Sequence, residues 1–77
     1  MNAALNSKYA GQCIKQARKL GGASIGGLNT ATGRATLRCV DGVYELTTLC
    51  LSTFNNIVLA TGKPAQIRPV LASLYTI

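Results

Sequence analysis

A chain of 77 residues is long enough for a single small domain, residues 1–77, with one modest core. Its composition, 48% apolar and only 13% charged, excludes a disordered chain and predicts that part of the surface is buried in a homo-oligomer or against a partner. Eight Lys and Arg against two acids give a net charge of +6, which favours nucleic acid, anionic lipid or an acidic protein surface as the partner.

Residues 3–20 have the pattern of an amphipathic helix. At about 100° per residue, the apolar side chains fall on one broad face and the cations fall on the opposite face. The cations of this face are Lys8, Lys15, Arg18 and Lys19. Gly21 and Gly22 end the helix, and Gly11 weakens its middle by about 1 kcal/mol relative to Ala.

The next segment, residues 21–33, is rich in glycine and is predicted to be a connector. Gly21 and Gly26 have the spacing of a phosphate-binding P-loop, but the positions that need Lys and Ser or Thr hold Gly27 and Leu28. A dinucleotide-binding loop needs a GxG that this segment lacks. A helix-turn-helix would place Gly26 and Gly27 inside its second helix, at a cost of roughly 2 kcal/mol in helix propensity. We therefore expect a turn here and no nucleotide site.

Residues 34–51 are predicted to form a β-hairpin with Asp41 and Gly42 at its tip. A two-residue type I′ turn requires positive φ at both central positions, and Asp-Gly suits that requirement. The resulting register places Arg38 opposite Glu45 on a polar face and leaves the other face apolar. The apolar spacing between residues 43 and 58 also fits a helix, but the Thr-rich stretch LTTLCLST disfavours it.

A short internal repeat predicts a second hairpin. The segment ATGRATLRCV at 31–40 resembles ATGKPAQIRPV at 60–70 with one residue inserted, so residues 56–61 are expected to pair with 65–75. Pro69 would confine the last strand to a sheet edge. A helix over 65–75 remains an alternative, because its apolar residues also match a helical stripe. The predicted fold class is α+β: an N-terminal amphipathic basic helix packed on a small antiparallel β-meander of three to five strands.

Residues for catalysis or metal binding are scarce. The chain has no His, so it cannot form a Ser-His or Cys-His pair, and its two carboxylates, Asp41 and Glu45, are explained by the hairpin. Cys13, Cys39 and Cys50 form no CxxC pair, and a structural zinc site needs about four ligands. We expect no enzyme activity, no cofactor and no metal.

Targeting signals are not predicted either. The stretch MNAALNSKYAG has no continuous apolar region of the kind that marks a secretory signal. The most apolar stretch, VYELTTLCLSTFNNIVLA, is interrupted by Glu45 and by Asn55-Asn56, so no transmembrane segment is expected. An odd number of cysteines without a signal sequence favours a reducing, cytoplasmic location.

The excess of cations is the positive signal for function, because ordinary solvated faces mix both signs. Beside the four helix cations, Arg34, Arg38, Lys63 and Arg68 occupy matching places in the two repeated segments. We expect a non-enzymatic binding protein that contacts nucleic-acid phosphates through these eight residues. The alternatives are a modulator or inhibitor that docks on an acidic surface of a larger assembly, and a self-assembling structural protein.

The cysteine pattern leads to the first testable prediction. We expect freshly purified protein to contain three free thiols and no bound metal, because the ligands for a zinc site are lacking. Thiol titration and elemental analysis check this directly. Stoichiometric zinc or an intramolecular disulfide would contradict it.

Overall fold

The computed structural model describes residues 3–75, with side chains described from residue 5. Its elements in chain order are α1 (Ala3–Leu20), β1 (Gly22–Gly26), β2 (Arg34–Val40), β3 (Val43–Leu49), β4 (Asn56–Gly62) and α2 (Pro64–Leu74). The strands form one antiparallel sheet in the order β1-β2-β3-β4. The two helices pack side by side on one face of this sheet, α1 against β1 and β2, and α2 against β3 and β4. The predicted α+β fold, with a helix on an antiparallel meander, is confirmed.

The first helix, α1, has the predicted bounds and the predicted faces. Its buried side is built from small and medium residues, Ala10, Ile14 and Ala17, which lets the helix approach the sheet closely. The four cations are exposed. Leu20, which the helical spacing places on the apolar face, is nevertheless 65% exposed, because it is the last residue of the helix and lies outside the core.

The central hairpin also matches its prediction. Asp41 and Gly42 have φ of 52° and 78°, as a type I′ turn requires. Arg38 lies opposite Glu45, and Leu37 lies opposite Leu46. Both leucines are fully buried, so the apolar face of the hairpin forms the centre of the core.

The Gly-rich segment corrects the sequence analysis in part. Residues 22–26, predicted to belong to a connector, form the edge strand β1 instead. β1 pairs with β2 through five residues, with Ile25 opposite Ala35, and Ile25 is buried in the core. The free edge of β2 and the burial of one isoleucine therefore outweigh the weak strand propensity of the flanking glycines.

The C-terminal segment differs from the sequence prediction in its type of secondary structure. The predicted strand over 65–75 is wrong, because Pro64–Leu74 is the helix α2. Pro64, the residue inserted in the second copy of the repeat, occupies the first turn of α2, where its missing N–H costs nothing. The backbone N–H of Lys63 donates to Gln66 Oε1 at 2.9 Å, which is one half of a capping box. Pro69 consequently lies inside a helix and not at a sheet edge, and the repeat is not a structural one.

The chain that follows α2 ties this helix back to the rest of the fold. Asn29 N–H donates to the Leu74 carbonyl at 2.6 Å. The Tyr75 ring packs on Tyr9 of α1 with 5.8 Å between centroids, and its hydroxyl lies 3.1 Å from Cys13 Sγ. These contacts hold α2 alongside α1, so the space between the helices has a defined shape.

The junction between β4 and α2 generates a stability prediction. Gly62 has φ of 130°, and a Cβ at this position would overlap the side chain of Gln66, which caps α2. We expect Gly62→Ala to lower the free energy of unfolding by about 2 kcal/mol, because a strained backbone and a disrupted cap add. Urea denaturation followed by circular dichroism measures the loss.

The control for this experiment is Gly22→Ala. A Cβ on Gly22 meets only the Leu37 carbonyl oxygen, at 3.6 Å, so the change in unfolding free energy should stay within about 1 kcal/mol. An equal loss in both variants would contradict the special role of Gly62.

Candidate basic groove

An open groove of about 750 Å³ runs between α1 and α2 and ends on β3. We call it the basic groove. It is lined by Lys8, Gly11, Gln12, Ile14, Lys15 and Arg18 of α1, by Pro64, Ala65 and Arg68 of α2, and by Tyr44 of β3. A second hollow of about 520 Å³ shares Arg18, Tyr44 and Pro64 with it and continues to Asp41 at the hairpin tip. The two hollows form one continuous depression on the helical side of the molecule.

The charge of the basic groove is of one sign. Lys8, Lys15 and Arg18 follow one another along α1 at helical spacing, and Arg68 faces them from α2. Among residues 5–75 no carboxylate lines the groove, and Asp41 lies only in the adjoining hollow. A cleft lined by one sign of charge concentrates counter-ions and raises their rate of encounter.

Arg68 is held against α1 by two hydrogen bonds. Its Nε donates to the Ser7 carbonyl at 3.3 Å and to Ser7 Oγ at 3.1 Å. The guanidinium lies over Gly11, where an added Cβ would come within 3.4 Å of Arg68 Cζ and Nη2. Gly11 has a low helix propensity, but because it has no side chain it provides the flat surface that the Arg68 guanidinium covers. Both bonds use Nε. Within residues 5–75 the Nη groups of Arg68 make no further hydrogen bond, so they are available to a ligand.

The inner end of the groove is neutral and apolar. Tyr44 is only 2% exposed, and burial raises the pKa of its hydroxyl above the usual value of 10.0. A hydrogen bond with Cys39 raises the pKa further, whereas the positive charge of Arg18 lowers it in part. The hydroxyl is therefore protonated at neutral pH, and the cations at the rim dominate the electrostatics of the groove.

The eight cations predicted from the sequence do not form one site. Four of them line the basic groove, while Lys19 and Lys63 are exposed outside it. Arg34 and Arg38 lie on the face of the sheet that carries no helix, where Arg34 Nη2 donates to Ser24 Oγ at 3.2 Å. The predicted correspondence between Arg38 and Arg68 is wrong, since Arg38 lies on a strand and Arg68 on a helix.

Sequence reasoning missed the residues that shape the groove. The sequence patterns explain Gly11 only as a weak point of the helix, and they give neither Tyr44 nor Pro64 a part in a site. The helical stripe of residues 65–75 was the available signal for α2, but a helical stripe does not indicate which element Arg68 lies beside. Nothing local in the sequence indicates that Tyr44 closes the inner end of this groove.

The three thiols lie in different surroundings. Cys13 contacts Tyr75, Cys39 contacts Tyr44, and Cys50 begins the turn between β3 and β4. Hydrogen bonds from Thr53 and Ser52 lower the pKa of Cys50. All three are free, and within residues 3–75 no three His, Cys, Asp or Glu side chains cluster so that they could hold a metal ion.

Comparison with known proteins adds no family to these observations. No family model, no curated protein and no solved structure matches the chain. Neither of the two helices described here has the length and apolarity needed to cross a membrane. The geometry and charge of the basic groove are therefore the observations that bear on function.

The burial of Tyr44 predicts a loss of stability at high pH. Below pH 10 the hydroxyl is protonated in both states and its contribution is fully present. At higher pH the unfolded state loses this proton first, so stability falls as the pH rises towards the folded pKa. We expect the Tyr44→Phe variant to lose less of its unfolding free energy than the wild type above pH 10, measured by urea denaturation at a series of pH values. Parallel pH profiles would contradict this.

Proposed function

We propose that the protein is a non-enzymatic binding protein whose basic groove contacts nucleic-acid phosphates. The observation that carries the proposal is the row of four cations, Lys8, Lys15, Arg18 and Arg68, with no carboxylate among them. From Lys8 to Arg18 the row extends about 15 Å along α1, a length over which duplex DNA carries roughly nine phosphate charges. Its dimensions and charge therefore suit a polyanion better than a single small ion.

The aromatic side chains at and beside the groove support contact with the nucleic-acid backbone and not with the bases. Tyr44 is buried, and the rings of Tyr9 and Tyr75 pack against each other. Among the residues that line the groove, none offers an exposed ring on which a base could stack. We therefore propose binding that depends little on nucleotide sequence.

A second candidate function is a modulator or inhibitor that docks on an acidic protein surface. The apolar part of the lining favours it, because Ile14, Pro64 and Ala65 lie beside the cations. An acidic peptide with one apolar side chain would match both the rim and the interior of the groove. In this case the energy of binding would concentrate in a few central residues.

Two further properties belong to the same proposal. The low fraction of charged residues, 13%, leads us to propose a homo-oligomer. The three free thiols lead us to propose a reducing, cytoplasmic compartment.

The groove cations and the sheet cations provide matched variants for a test. Lys15→Ala, Arg18→Ala and Arg68→Ala should each weaken binding to random duplex and single-stranded nucleic acid, because each removes one phosphate contact. The slope of log K against log salt concentration should be no steeper than about −3.6 for four contacts on duplex DNA. Each of these variants should make the slope shallower by about one unit. Arg34→Ala and Arg38→Ala remove the same charge from the opposite face and should leave the slope unchanged. Fluorescence anisotropy at several salt concentrations measures both quantities.

The outcomes separate the two functions. Equal losses from all five variants would remove the groove from the proposal, since net charge alone would then explain binding. No binding by the unmodified protein at micromolar concentration near physiological salt would reject the nucleic-acid function. The acidic-surface function would then be tested with poly-glutamate, and it requires that one groove residue dominates the loss.

A further inference from the structure

We infer that Lys8, Lys15 and Arg68 form one phosphate site within the basic groove, and that this site binds the terminal phosphate of a nucleic-acid strand. A terminal phosphate is a phosphomonoester, which carries about two negative charges at neutral pH, whereas each phosphodiester inside a strand carries one. The inference rests on the proposed binding of nucleic-acid phosphates. It names the part of the strand that the groove binds most tightly.

The three cations of this site surround one point on α1. The guanidinium of Arg68 lies over Gly11, where a Cβ would come within 3.4 Å of Arg68 Cζ and Nη2. Lys8 precedes Gly11 by three residues and Lys15 follows it by four, so each lies about one helical turn from it on the same face. The four-carbon stem of a lysine spans one turn. Both ammonium groups can therefore reach a phosphate that is bound to Arg68.

Arg68 is oriented before any ligand binds. The two hydrogen bonds from its Nε to Ser7, at 3.3 and 3.1 Å, fix the guanidinium against α1. The Nη groups remain as a planar pair of donors that matches two oxygens of a phosphate. A side chain that is already held in place loses less conformational entropy when it binds. Arg68 is therefore the centre of the site, and the two lysines add charge from either side.

The charge of the site fits a dianion better than a monoanion. The part of the chain whose side chains are described contributes no carboxylate to the groove lining, so the three positive charges are not neutralised there. A phosphodiester would neutralise one of them, while a phosphomonoester would neutralise about two and bring a third terminal oxygen. Like charges that lie close together repel each other. The ligand that relieves more of this repulsion binds more tightly.

The shape of the groove favours the end of a strand. The groove stops at Tyr44, which is buried and neutral, and the hollow beyond it contains the negative Asp41. A strand that passed through the groove in both directions would have to cross this closed and partly repulsive end. A strand that ends at Arg68 can leave the groove beside Lys8, away from Asp41. The terminal phosphate then occupies the point where the three cations meet.

The test uses short single-stranded oligonucleotides of one sequence, each labelled at an internal base, with a 5′-phosphate, a 3′-phosphate or only hydroxyl ends. Fluorescence anisotropy with the full chain gives the three dissociation constants. We expect a phosphorylated end to tighten binding about tenfold, the effect of one additional hydrogen bond between charged groups. This preference should decline as the pH falls below about 6, where a phosphomonoester takes up its second proton. The chain has no His that titrates in this range, and the hydroxyl-ended strand serves as the reference at each pH.

Two pairs of variants locate the site. Arg68→Lys keeps the charge but removes the fixed pair of Nη donors, so the preference for a phosphorylated end should fall from about tenfold to about twofold. Lys15→Gln, at an exposed position, should reduce the preference in the same direction and decides the question if Arg68→Lys unfolds. Arg34→Lys and Lys19→Gln make the same chemical changes outside the groove and should retain the full preference. Circular dichroism of each variant checks that it is folded.

The outcomes separate this inference from the proposed function. Equal binding of the three oligonucleotides, or an equal loss of preference in the control variants, would overturn the strand-end site and leave phosphate binding by the groove in place. A nucleoside monophosphate that competes as strongly as the phosphorylated strand would also overturn it, because the strand would then add nothing. No binding of any oligonucleotide would reject both the proposed function and the site.

Discussion

The contact between Arg68 and α1 is the interaction on which the shape of the basic groove depends. The Nε atom of Arg68 is bonded to the backbone and side chain of Ser7, and the guanidinium covers Gly11. This contact joins the two helices while it adds a fourth cation to the row on α1. A Cβ at residue 11 would lie within 3.4 Å of the guanidinium, so the residue of α1 with the weakest helix propensity is also the one that leaves most room for Arg68.

The position of α2 depends in turn on how the chain leaves the sheet. Gly62 takes a φ of 130°, and the Lys63 N–H is capped by Gln66. Pro64 then starts a helix that packs beside α1 instead of adding a fifth strand. Both helices consequently cover one face of the sheet, which collects positive charge between them and leaves a neutral, apolar corner at the β3–β4 turn. The charged groove and the apolar corner are therefore separate surfaces.

Local sequence patterns predicted those elements in which every signal, such as periodicity and turn residues, favours the same secondary structure. α1 was predictable because its apolar and basic residues alternate with helical period, and the β2–β3 hairpin because Asp41-Gly42 specifies both turn and register. β1 was missed because only Ile25 and its neighbours, between glycines, indicate a strand, and its stability comes from pairing with β2. α2 was predicted as a strand because residues 65–75 fit a strand by the repeat as well as a helix by their apolar spacing; Pro64 at the helix start is the residue that favours the helix.

The sequence by itself determined the class of fold, the basic face of α1 and the poverty of catalytic residues, because these depend on composition and on periodicity within one element. Only the tertiary structure decided which cations lie together. It placed Arg68 beside Lys8 and Lys15, removed Arg34 and Arg38 to the other face, and buried Tyr44 between the helices and the sheet. The reason is physical: a groove is a property of two elements and the surface they share, and their distance depends on packing and caps that no single segment of the chain encodes.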